Sequence, residues 1–392
     1  MKVLFDFFYK ELRKTDLSFQ RYLTNNIDWE GRRKNRLITR SVFAVVICIA
    51  GMTMFSGCEK YLTNDNDDFP LDTNHWNWNS IACIASIPEY GSGWNVCIMD
   101  KEGNNLRKIV DKSFGFPIPK RSNLGDKLLF SMDGLYFVNI DGTGLTLIEG
   151  ANGNASWSPD DKQIAYIKYS GDSRETSDLF LYNIDDKTHT ILQANGKDKA
   201  WVNFSPNGKQ IAYSAYNGNS TDIYAIDIDG KNNQLLIQNG YCPIWSPKGD
   251  KITYLSFGKD RSSQIFIANA DGNGQKQLTS TVSPEWWDTG FPRDGNGSQR
   301  WTPDGEKIVY VSCENGKPEI FIMNEDGSNK TRLSDAEFRG ENPEVTPDGK
   351  YILFTSRRPT NFGTGDAIYI MDLDGKNQRM LYGTGTCPVA CR

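Results

Sequence analysis

The chain has 392 residues, 38% hydrophobic and 24% charged, with 44 Lys and Arg against 49 Asp and Glu and only two histidines, His75 and His189. That much apolar material builds a large core, which excludes wholesale disorder and a polytopic membrane protein. Ten basic and five acidic residues fall in residues 1–58, leaving a body of 34 basic and 44 acidic residues with no cationic footprint for nucleic acid.

Residues 1–40 form an N-terminal extension that ends in a basic region, Arg32-Arg33-Lys34-Asn35-Arg36 and Arg40. Residues 41–58 follow as an apolar run, Ser41 to Phe55, closed by Ser56-Gly57-Cys58. The run is shorter than the roughly 20 residues that span a bilayer as a helix, and with its basic flank it reads as an export signal. Its ending resembles a bacterial lipobox, which implies lipid attachment at Cys58 and removal of everything before it. Phe55 departs from the aliphatic residue usual at that place in a lipobox. Residues 59–78 are a polar, acidic tether without apolar periodicity. The tether resembles the surface-export signals of Bacteroidetes lipoproteins. The expected location is the cell envelope, as an outer-membrane lipoprotein facing the periplasm or the surface.

Residues 79–392 are periodic. One unit recurs as Trp157-Ser158-Pro159-Asp160-Asp161, Phe204-Ser205-Pro206-Asn207-Gly208, Trp245-Ser246-Pro247-Lys248-Gly249, Trp301-Thr302-Pro303-Asp304-Gly305 and Val345-Thr346-Pro347-Asp348-Gly349, at intervals of 47, 41, 56 and 44 residues. Pro presets the turn and Gly accepts positive φ near its end. A β-branched and aromatic strand follows each turn, then an alternating strand such as Glu319-Ile320-Phe321-Ile322-Met323-Asn324 and an Asp-Gly hairpin. Counting two weaker copies, at Asn95–Asp100 and Leu135–Asp141, there are seven such units. The prediction is an all-β chain folded as a seven-bladed β-propeller of four-stranded antiparallel blades, with a six-bladed ring as the alternative.

The chain ends in Cys387-Pro388-Val389-Ala390-Cys391, a copy of the inner strand Cys242-Pro243-Ile244-Trp245 with no blade after it. The first blade, conversely, begins at a second-strand position, Ile81-Ala82-Cys83-Ile84-Ala85. The C-terminal strand is therefore expected to close the ring and protect its edges. These motifs resemble the WD-like propeller repeats of TolB and of prolyl oligopeptidase propellers. There is no room between Cys58 and Asn79 for the α/β domain that TolB carries, and no Gly-x-Ser-x-Gly elbow for a hydrolase domain.

The repeated Asp227-Ile228-Asp229-Gly230 and Asp372-Leu373-Asp374-Gly375 read as hairpin turns, since a calcium loop needs a third ligand position before its Gly and a later bidentate Glu. No metal or other cofactor is expected, because two separated histidines do not make a ligand set. Oligogalacturonate lyases share this repeat but rely on a histidine-containing metal site. Ring closure brings Cys83, Cys97, Cys387 and Cys391 into one blade as a candidate disulfide set, permitted by an exported compartment. The Ser-Pro-Asp-Gly and Asp-Gly turns share one stereotyped face. The connections on the opposite face vary, which is where binding usually sits. Candidate binding residues there are Trp286, Trp287, Phe291 and Arg293, then Arg300, Arg339, Arg357, Arg358 and Phe362; paired Trp and Arg are the types that anchor interfaces or stack on sugars. The expected function is non-enzymatic binding of an envelope protein, peptide or glycan. The alternative is a polysaccharide lyase or glycoside hydrolase using two channel carboxylates about 5 to 10 Å apart.

Overall fold

The computed structural model describes residues 80–87, 94–110, 119–131, 133–151, 154–170, 176–257, 262–280, 297–334, 339–360 and 363–391. Its strands form seven four-stranded antiparallel sheets. Blades two to seven follow in chain order over residues 120–148, 155–192, 199–237, 241–277, 297–332 and 339–382. Blade one is built from both ends of the ring: Gly385–Cys391 pairs with Ser80–Ala85, which pairs with Asn95–Asp100 and then Arg107–Lys108. The all-β, seven-bladed expectation and the closing strand both hold.

Burial explains why the sheets stack in a ring. In each second strand alternate residues point to opposite sheet faces. Tyr213 faces blade three with Leu179 and Leu181, while Ala212 of the same strand faces blade five with Trp245 and Tyr254. The core consists of seven clusters, one at each contact between neighbouring blades.

Six blades pair aromatic rings across their second and third strands: Phe130 with Tyr136, Tyr166 with Phe180, Tyr213 with Tyr224 and Tyr254 with Phe266 stacked, and Tyr310 with Phe321 and Phe354 with Tyr369 tilted. Centroid separations run from 5.4 Å for Tyr166–Phe180 to 6.1 Å for Phe130–Tyr136, the range in which ring pairs add to area burial. At the equivalent register of blade one stand Cys83 and Cys97, directly opposite each other and fully buried. Both pack toward blade seven, whereas Cys391 lies in the cluster shared with blade two. All six described cysteines are free thiols.

The recurring Ser or Thr of the turn has a mechanical role. Ser158, Ser205, Thr302 and Thr346 accept a hydrogen bond from the backbone N–H five residues on, at 2.9 to 3.0 Å, and all four donate to the Asp or Asn two residues on. Asp161 occupies the place that glycine holds in blades four to seven, at φ 56°. Its carboxylate compensates for that backbone by accepting from the N–H groups of Asn123 at 2.7 Å and Leu124 at 2.6 Å, tying blade two to blade three. On the neighbouring turns, Asp227 and Asp372 accept from Asn232 and Asn377, so these carboxylates cap hairpins.

Candidate functional site

The innermost strand of each blade carries the site. Its last aromatic or aliphatic residue packs between blades, so by the period of two the residue before it points into the central channel. Register fixes these positions without ambiguity: Lys120, Ser156, Asn203, Ile244, Arg300, Glu344 and Val389 stand opposite equivalent second-strand residues in blades two to seven and one. Ser156, Asn203, Ile244, Arg300 and Glu344 are half-buried and Lys120 is exposed, while Trp157, Phe204, Trp245, Trp301 and Val345 beside them are buried. Five inner strands also contain a bulge with a non-glycine residue at positive φ: Trp201, Cys242, Ser298, Asn342 and Cys387. Each bulge shifts the register between the inner strand and the second strand of its blade.

Hydrogen bonds run from blade to blade around this wall. Trp157 Nε1 donates to Lys120 O and Lys120 Nζ to Ala155 O, at 3.3 and 2.8 Å. Asn154 Oδ1 accepts from Trp201 N at 3.2 Å, Asn203 Oδ1 from Trp245 N at 3.1 Å, and Gln299 Nε2 donates to Cys242 O at 3.2 Å. Arg300 Nε meets Glu344 Oε2 at 2.9 Å, and Cys387 N donates to Thr355 Oγ1 at 3.0 Å. These inter-blade bonds hold the wall in one arrangement.

Water reaches Lys120, yet inner strands enclose it, and this loss of hydration pushes its ammonium down to about 8 from 10.5, helped by the charge of Arg300 and opposed by Cys242. Burial pushes the Cys242 thiol up to about 12, with Lys120 and Arg300 pulling the other way. For Lys120 the sign is that of a depressed cation: between about pH 8 and 10.5 the folded chain has released a proton that the unfolded chain keeps, so this group's contribution to stability rises with pH across that window. Exposed Lys231 behaves oppositely, held up by its hydrogen bond and ion pair with Asp229. Limited acylation at pH 8 followed by peptide mapping is expected to modify Lys120 well ahead of Lys231. Equal modification would contradict the channel environment described for Lys120.

The structure places Arg300 in the channel wall. Arg339 opens the inner strand of blade seven opposite Arg357, and Arg358 stands opposite Gly365 in the same sheet. Arg357 Nε donates to Asp366 Oδ1 at 3.0 Å. The second and third strands of that blade, Tyr351–Thr360 and Gly363–Asp372, are ten residues each against eight in blade three, the longest among the described strands. Cys58, Trp286, Trp287, Phe291, Arg293 and Phe362 lie outside the described residues, as does the side chain of Arg358. Sequence reasoning missed Lys120, Ser156, Asn203, Ile244 and Glu344. Counting one residue back from the first residue of each turn motif finds all of them except Lys120, whose blade lacks that motif.

Fold and wall together define a closed propeller with a side-chain-lined channel. The sequence profile of the TolB beta propeller domain matches residues 81–285 and 227–387, and the chain belongs to that family. It is 32% identical over 111 residues to the Tol-Pal system protein TolB of Alcanivorax borkumensis, covering 28% of this chain and 23% of that one. An uncharacterised protein of Agrobacterium fabrum is 29% identical over 104 residues, 26% of this chain and 30% of that one, so the chain spans less than a third of the length of either relative. In fold it is similar to a prolyl endopeptidase, with TM-score 0.57 and 12% identity over 79% of this chain and 48% of that one.

Proposed function

We propose that this protein is an exported binding module, anchored to the outer membrane through a lipid on Cys58, that holds an envelope protein or peptide at the channel and loop face of its propeller. The observation that carries the reading comes from comparing the blades with one another. Seven repeats are seven solutions to one packing problem, and positions that build the fold recur: the buried aromatic pair, the Ser or Thr of the turn, the positive-φ residue at its end. The channel position is instead Lys, Ser, Asn, Ile, Arg, Glu and Val in turn. A wall that packing leaves free to differ from blade to blade is asymmetric, and asymmetry is what recognition of a specific partner requires. Glu344, the acid among these seven, is engaged by Arg300, which favours binding over two-carboxylate hydrolysis. Trp286 and Trp287, on the long connection entering blade six, extend the proposed surface; glycan binding there is the secondary reading.

Intact mass of the protein extracted from envelopes, wild type beside Cys58→Ala, tests the location. The expected product begins at Cys58 with added acyl mass that the variant lacks; a full-length, unlipidated product would overturn the anchor. Peptide mapping of the same protein after alkylation without reduction tests the pair: Cys83 and Cys97 are free in the structure but face each other, and oxidation in an exported compartment is expected to link them. Alkylation of both would show instead that the closing blade is held by packing alone.

A further inference from the structure

The chemistry of the channel wall also bears on what kind of partner it takes, an inference that rests on the binding reading above. Lys120 has three ammonium donors, and among the described residues its one hydrogen bond is to Ala155 O. No ion pair joins it to a described carboxylate. The larger charge acting on it is a second cation, Arg300, whose own partner Glu344 neutralises one charge of the two. At the seven channel positions the charged residues are Lys120, Arg300 and Glu344, one cation in excess, in a protein whose body is acidic overall. Ionic groups in such enclosed surroundings are costly unless paired, and the missing counter-charge is an anion.

The neighbouring surface gives the form of the ligand. Trp201, Tyr241 and Phe257 make a ladder in which Tyr241 is buried, flanked by half-buried Trp201 and by the 65% exposed ring of Phe257 at the end of the second strand of blade five. Both steps are 5.5 Å, but the rings tilt by 45° and 37°. Tilted rings make a notched apolar groove, which suits side chains, rather than the flat platform on which a sugar ring stacks. Ile244 continues that apolar strip in the channel beside Asn203, giving alternate apolar and hydrogen-bonding positions of the kind a polypeptide presents.

We propose that the channel wall at Lys120 and Arg300 is a carboxylate site for an acidic peptide segment of the partner, whose apolar side chains lie against Trp201 and Phe257. Specificity comes from charge at Lys120 and from apolar fit on the ladder; a neutral peptide keeps only the second.

The test uses the exported propeller-bearing protein with an acetylated peptide of alternating Glu and Leu, its Gln-and-Leu counterpart, and trigalacturonate, with affinities read by calorimetry. The wild type is expected to bind the Glu peptide at least about tenfold more tightly than the Gln peptide, the size of one charge-assisted hydrogen bond. Lys120→Met should abolish that preference, and Lys120→Arg should restore it. Restoration separates charge from a packing loss, and equal melting temperatures confirm the fold. Equal affinity for the two peptides in the wild type overturns the carboxylate site while leaving peptide binding intact. Binding of trigalacturonate in place of both peptides, lost in Lys120→Met, overturns the peptide assignment and makes an acidic glycan the occupant. Binding of none of the three overturns both.

Discussion

Deleting Gly385–Arg392 is expected to leave a chain without a cooperative thermal transition, digested by protease at temperatures where the intact protein resists. Every residue from Gly385 to Cys391 is buried, and this strand is the inner edge of blade one. Its apolar side chains, chiefly Cys387, Val389, Ala390 and Cys391, represent roughly 5 to 10 kcal/mol of burial at about 1.5 to 3 kcal/mol per larger side chain. Domains of ordinary stability have only about 5 to 15 kcal/mol in total. The deletion also uncovers the clusters on both sides of blade one and leaves Ser80–Ala85 as an open edge, an invitation to aggregate. Val389→Asp tests the same point with the chain length intact. Survival of a sharp transition in either variant would mean that the ring does not depend on its closing strand.

The second large effect lies in the aromatic layer. Tyr213→Ala is expected to cost about 3 to 5 kcal/mol, since it removes a fully buried ring that stacks on Tyr224 and fills the contact between blades three and four. Tyr213→Phe separates the ring from its hydroxyl. That oxygen accepts from Asn195 N at 2.8 Å and donates to Asn233 Oδ1 at 3.0 Å, so its loss should cost about 1 to 3 kcal/mol by orphaning a backbone N–H. Denaturant unfolding of the two variants measures both steps. A Phe variant as damaging as the Ala variant would place the stability in the hydrogen bonds instead of in the stacked layer.

The architecture was legible because its determinants are local and repeated. Ser-Pro-Asp-Gly turns and alternating strands need no tertiary context, and Cys387-Pro388 copying Cys242-Pro243 identified the closing strand. The channel was not legible for the opposite reason: Ser156, Asn203, Ile244 and Glu344 share a place and no chemistry, so no motif marks them. Lys120 was hidden further, because Ile118-Pro119-Lys120-Arg121-Ser122 lacks the aromatic that marks inner strands in blades three to six. Arg300, read from sequence as lying near the loop face, is drawn to the channel by its register one residue before Trp301. The cysteines of blade one were grouped correctly in one sheet, but which of them face each other depends on strand alternation: Cys83 and Cys97 share a face, and Cys391 occupies the other.

The central claim is that the protein works by holding a partner at its channel. Site-specific photo-crosslinking in living cells tests it most directly, with the photoreactive residue at Ser298 in the inner-strand bulge of blade six or at Ile191 on the fourth strand of blade three, both exposed. The account predicts a discrete envelope-protein adduct from Ser298 and none from Ile191, with the Ser298 adduct lost when Lys120→Met is added. Adducts from Ile191 alone would contradict it, placing the interaction on the blade edges and leaving the channel without a role.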